Sequence, residues 1–188
     1  LFAPEFTTEY TFYYKIASIM SMVITLAMTP IWSAVTKAMS EKNYFWVEKL
    51  YKIIKIAGAV AIALQFLIVP FLQIIMNVWL GDNTISVNYL TAIAFACFGG
   101  VFVYSGMLST IVCGMARMKL QSICYSVGVV CKFVFIFVAA KFISDWSIVV
   151  WGNVLALFPY CILQQIDLNR YIKKKKLLIE IELKEEIK

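Results

Sequence analysis

Lys132 stands near the middle of LQSICYSVGVVCKFVFIFVAAKF, a stretch otherwise apolar enough to cross a bilayer. A lysine at that depth costs about 2.5–3.5 kcal/mol on insertion scales unless it reaches the interface, pairs with a carboxylate or faces water. At helical spacing its face holds Tyr125, Gly128, Val129, Ile136 and Ala139, with no carboxylate one turn away in either direction. Such a position calls for a water-filled cavity that favours positive charge, or for an acidic partner on another segment. A second group of polar side chains opens the chain: Tyr10, Tyr13, Tyr14 and Lys15 in EYTFYYKIAS. Tyrosines at a membrane boundary are ordinarily interface anchors. With an ammonium among them they also offer donors suited to a sugar or a phosphate. Asn153 adds a mid-depth amide. Gln65, Gln73, Ser105 and Ser109 are further polar groups inside apolar runs, where an interhelical hydrogen bond contributes roughly 0.6 kcal/mol.

Some chemistry is disfavoured. The chain has no histidine, the commonest general base and metal ligand at neutral pH. Its five cysteines, 97, 113, 124, 131 and 161, lie in apolar runs and form no C-x-x-C pair, so they read as small apolar packing residues. Binding and transport are expected rather than catalysis. No cofactor is expected, and coupling to H+ or Na+ is left open.

Of the 188 residues 62% are hydrophobic and 15% charged, with a mean hydropathy of +0.84. Soluble domains are about 45–50% apolar and about 25% charged, so the fold class is an all-α polytopic membrane protein. A spanning helix needs about 20 apolar residues. Five stretches qualify, near 10–39, 53–80, 89–115, 120–142 and 148–166, separated by SEKNYFWVEK, GDNTISVN, ARMK and ISDWS. Short connections make neighbouring helices antiparallel. All of the 17 basic residues except Lys15, Lys132 and Lys141 then fall on one side, while Glu5, Glu9, Asp82 and Asp145 fall on the other. By the positive-inside rule the N-terminus is outside and the C-terminus cytoplasmic. No nucleic-acid partner is expected.

Residues 168–188 form a basic, then acidic-apolar segment beyond the last span. Its run of lysines (173–176) reads as attraction to anionic lipids, about 1 kcal/mol each. The remainder reads as a short interfacial helix or a disordered stretch, with a solvated tail favoured.

Pro30 interrupts the first span in TPIWSAVTKAM. A proline inside a helix removes a hydrogen bond and crowds the carbonyl four residues back, costing about 3 kcal/mol. Near a membrane boundary serine, threonine or water can satisfy the freed carbonyl. Pro30, Trp32 and Ser33 are therefore expected to form a kink with a tryptophan wedge, a place for the helix to bend.

This block resembles the P-[LI]-W-S-A-x-T-x-A signature of bacterial polysaccharide-repeat (Wzx-type) flippases of the multidrug/oligosaccharidyl-lipid/polysaccharide superfamily, through Pro30, Ile31, Trp32, Ser33, Ala34, Thr36 and Ala38, then Trp46. EYTFYYKIAS is similar to that family's Y-N-x-x-Y-[RK] helix start, with Tyr10, Tyr14 and Lys15 matching and Thr11 replacing asparagine. NVWLGD resembles its tryptophan-leucine-glycine helix end. VCGMARMKLQ resembles its N-G-x-x-[KR]-[LM]-[KR] turn, with Cys113 in place of asparagine. The resemblance covers most of residues 1 to 170.

It implies a MATE-like transporter of the plasma (inner) membrane with two six-helix lobes, of which this chain is five helices of the second. Five spans with an external N-terminus and no initiator methionine fit the last part of a larger protein, whose first lobe would be a partner of this one. The implied substrate is an undecaprenyl-diphosphate-linked oligosaccharide, turned from the cytoplasmic to the outer face for O-antigen, capsule or exopolysaccharide synthesis. Lys132, Lys15, Tyr14, Tyr10 and Asn153 would meet its diphosphate and sugars. Three other readings stay open: a multidrug or cation-coupled antiporter of the same superfamily, a membrane-embedded glycosyltransferase or polymerase, and a fragment that cannot transport without its first lobe.

Overall fold

The helices run further into the polar breaks than hydropathy alone suggests. The computed structural model describes residues 5–81, 86–142 and 145–186; Asp82 and Lys188 lie outside the described residues. Regular structure among those residues is entirely helical: α1 (Glu5–Ser40), α2 (Tyr44–Ile68), α3 (Leu72–Leu80), α4 (Tyr89–Gly114), α5 (Lys119–Ala139) and α6 (Ile148–Glu186). Five segments are long and apolar enough to cross a membrane, α2 and α3 together making one of them.

Local chemistry sets the joints. Asn43 caps α2, its side-chain oxygen accepting the Trp46 N–H at 3.1 Å. This satisfies an amide that a helix start otherwise leaves unpaired. The helix therefore begins at Tyr44, within the sequence expected as a break. Tyr44, Val47, Tyr51 and Ile54 recur at helical spacing and are buried, while Lys49 and Lys52 stay exposed. Pro70 tightens the chain into a 3-10 turn over Val69–Phe71 that joins α2 to α3. Asn88 caps α4, accepting from the amides of Leu90 and Thr91 at 3.0 and 3.4 Å.

α4 is the central helix and packs against α1, α2 and α6. Its small residues permit this. Gly99 faces the Gln65 carboxamide and Gly100 faces Ile62, the close approach that small residues allow between membrane helices. α5 packs chiefly on α6. Large apolar side chains such as Met22, Leu26, Val78 and Phe137 point outward, as expected where the surrounding solvent is hydrocarbon. Buried apolar side chains form two clusters, one around Val35, Val47, Met107, Leu108 and Leu168 and one around Phe12, Tyr13, Phe95 and Trp146.

The C-terminal segment is helical rather than disordered, and beyond the lysine run Leu177, Leu178, Glu180, Ile181 and Lys184 are exposed. α6 continues to Glu186 as one helix of 39 residues, about 58 Å long at 1.5 Å per residue, against a hydrocarbon core of about 30 Å. Its extension is anchored because Leu168 and Ile172 are buried against the main cluster. Lys176 reaches Glu48 of α2 at 2.5 Å. Arg117, in the turn between α4 and α5, pairs with Asp167 at 3.2 Å and lies 3.9 Å from the centre of the Tyr171 ring. The three basic segments of the sequence thus meet at one end of the bundle.

Candidate functional site

Between its two ends α1 presents Ser21, Thr25 and Thr29 at four-residue spacing, one stripe of a helix. α4 presents Ser105, Gly106, Ser109 and Thr110 opposite them. The helices touch on either side of this stretch. Tyr13 stacks on Phe95 with ring centres 5.4 Å apart, and at the far end Gly114 fits so closely that an added Cβ would lie 2.7 Å from Val35. Small side chains in between leave a groove of about 410 Å³, lined also by Trp32 of α1, Phe102 of α4 and Tyr125 of α5.

The groove is hydroxylated and its lining carries no formal charge. Thr25 donates to the Ser21 carbonyl at 2.8 Å, Thr29 to Thr25 at 3.1 Å, Ser105 to Phe102 at 2.8 Å and Thr110 to Gly106 at 3.1 Å. A hydroxyl that donates to its own helix keeps its lone pairs free to accept. Ser109 accepts from the Gln121 amide of α5 at 2.8 Å. The buried Ser21 hydroxyl has no hydrogen-bond partner among the described residues. Trp32, 54% exposed, offers an aromatic face. Acceptors beside an aromatic surface suit a ligand rich in hydroxyl donors and C–H faces.

The residues singled out from sequence fall into separate places. Tyr10 and Tyr14 come together, stacked with centres 5.9 Å apart, and Tyr10 also packs edge-on against Phe95 and Trp146. Lys15 is exposed on the same turns. Tyr13, absent from the expected binding set, is the buried tyrosine of this cluster, and its hydroxyl accepts the Asn88 amide at 3.1 Å. Lys132 lies on the side of α5 that faces α6: a Cβ on Gly152 would sit 3.4 Å from its Cγ. Asn153 follows Gly152 on α6 and is half-buried. Neither Lys132 nor Lys15 lines the groove.

Pro30 lies inside the continuous α1. Ser33 donates to the Pro30 carbonyl at 2.9 Å and Thr36 to Trp32 at 3.1 Å. Neither of these hydroxyls, nor that of Thr29, bonds to the Leu26 carbonyl, the one that Pro30 deprives of its amide partner.

Gln65 donates from its buried amide to the Ala17 carbonyl of α1 at 3.0 Å, an interhelical bond of the kind expected for it. Gln73 bridges within α3, donating to Asn77 at 2.9 Å, and accepts the Val87 amide at 2.9 Å. A tyrosine–glutamine cluster near α6 has no counterpart in the sequence reading. Tyr51 and Tyr104 donate to the carbonyl and the side-chain oxygen of Gln165 at 3.3 and 3.1 Å. Gln164 is fully buried, with neither side-chain polar atom hydrogen-bonded among the described residues. The tyrosines are visible in the sequence, but only the packing of α2, α4 and α6 brings them together.

Fold and composition define a multi-pass helical membrane protein. Comparison with models of known protein families, with characterised proteins and with solved structures gives no match.

Proposed function

We propose that this chain forms five helices of the second lobe of a MATE-like flippase that turns a polyprenyl-diphosphate-linked oligosaccharide from the cytoplasmic to the outer face of a bacterial inner membrane. The observation that carries this reading is the hydroxyl-lined groove between α1 and α4, at the level of the apolar spans. Sugars moving past hydrocarbon need partners for their hydroxyls, since each unpaired polar group costs a few kcal/mol there. The groove supplies acceptors and an indole face at that depth. The diphosphate needs fixed positive charge for the same reason, and Lys132 is the mid-span cation suited to it. Grouping of the basic segments at one end of the bundle supports a cytoplasmic C-terminus. A cation-coupled antiporter would favour a carboxylate along the pathway, whereas the groove lining is neutral.

Gly106 provides the test, because a Cβ there meets nothing within 4 Å. In the full-length protein Gly106→Leu extends an apolar side chain from that open position into the groove. Loss of surface polysaccharide at unchanged membrane abundance is expected. Normal polymer in that variant would overturn the groove as a sugar path.

A further inference from the structure

A second cavity, of about 500 Å³, opens at the basic end of the bundle between the first turns of α2 and the extension of α6. Its walls bring together Lys52 and Lys55 of α2 with Lys173 and Lys176 of α6, beside the amide of Asn169. The volume is within the range of small-molecule sites, about 300–1,000 Å³. Both walls are held in place. Tyr51 and Ile172 are buried beneath the cleft, and the Lys176 ammonium lies 4.5 Å from the centre of the Phe45 ring.

Charge in the cleft is unevenly matched. The Glu48 carboxylate is engaged twice, by Lys52 at 2.8 Å and by Lys176 at 2.5 Å. Lys55 sits 4.8 Å above the Tyr51 ring, and neither it nor Lys173 makes an ion pair among the described residues. A second carboxylate, Glu180, also lines the cleft and makes no ion pair among the described residues, so four lysines face two carboxylates there and positive charge remains in excess. The opposite side of the α6 extension is also basic, lined by Arg170, Lys174 and Lys175, with Arg117 held by Asp167 and Tyr171.

We propose that this cleft is a binding site for a phosphate-bearing group, with Lys55 and Lys173 as its principal cations. Lysines bind phosphate as point charges, and basic pockets between membrane helices take phosphate head groups. The ligand is a phosphate monoester or diphosphate, free in solution or on a lipid. Its placement on the cytoplasmic side rests on the proposed orientation, but phosphate binding itself depends on neither that orientation nor transport.

The test uses the purified protein in phosphatidylcholine nanodiscs, titrated with inorganic pyrophosphate, and in parallel a mass-spectrometric assay of lipid retained through detergent purification. Lys55→Gln/Lys173→Gln should weaken pyrophosphate binding about tenfold. Lys49→Gln/Lys119→Gln removes the same charge from exposed positions outside the cleft and should leave it within about twofold, the behaviour of a site rather than a diffuse field. Glu48→Gln, which frees Lys52 and Lys176, should tighten binding several-fold. That pattern with pyrophosphate assigns a soluble phosphate. The same variant pattern seen only as retention of phosphatidic acid over phosphatidylcholine assigns a lipid head group. Equal losses in the two double variants, or no phosphate ligand in either assay, would overturn the site.

Discussion

The backbones of α5 and α6 meet at Gly128 and Ala156: a Cβ on Gly128 would lie 2.4 Å from the Ala156 carbonyl oxygen. The obstacle is backbone, which cannot rotate away as a side chain can. Gly128→Ala is therefore expected to push the helices apart and destabilise the protein by about 1–3 kcal/mol, the usual cost of overpacking. Gly106→Ala is the control. It also lies mid-helix but faces open space, so it should be neutral or stabilising by up to about 1 kcal/mol through helix propensity. Thermal unfolding in detergent compares the two, and equal midpoints would show that α5 and α6 are not in backbone contact.

The sequence showed the spans more clearly than their rotations. Hydropathy locates the five apolar segments because each must fill the bilayer, whatever its neighbours. It misplaces the start of α2, since the charges of YFWVEKLYK hide the helical spacing of Tyr44, Val47, Tyr51 and Ile54. Leu168 and Ile172, just before the lysine run, are buried against the main cluster, a contact that the charged residues around them conceal. Ser105 and Ser109 stood out as polar groups within an apolar run, but that α4 turns them toward Ser21, Thr25 and Thr29 of α1 follows only from the packing. Lys132 announced its depth, but its direction toward Gly152 follows only from the packing of α5 on α6.

Gln164 tests the balance between polarity and packing in the core. Its side chain is fully buried and lacks hydrogen-bond partners among the described residues. An unsatisfied buried polar group costs about 1–3 kcal/mol, and leucine is close to glutamine in volume. Gln164→Leu is expected to raise stability by about 1 kcal/mol. A lower unfolding midpoint would mean that the carboxamide is satisfied in the folded protein.

Trp32 separates the two meanings of the tryptophan-serine-alanine block. Half of the side chain is exposed and it borders the groove, so Trp32→Ala should cost well below the about 3–5 kcal/mol of truncating a fully buried tryptophan. If the indole is a face for sugar rings, the same variant in the full-length protein should lose surface polysaccharide. Normal polymer would return Trp32 to a lipid-facing role.

Lys132 carries the sharpest opposition between stability and transport. Its stem packs toward Gly152, while its charge is a liability of about 2.5–3.5 kcal/mol at the centre of a span. Lys132→Met keeps an unbranched stem and removes the charge, so membrane insertion and unfolding midpoint should be maintained or raised. Lys132→Arg keeps the charge on a longer side chain. If the cation meets the diphosphate, Lys132→Met loses surface polysaccharide in the full-length protein and Lys132→Arg retains part of it. A structural lysine gives a different pattern, in which polymer follows protein abundance in both variants. Measured together, polymer and abundance decide between them: normal polymer in Lys132→Met removes Lys132 from the transport path.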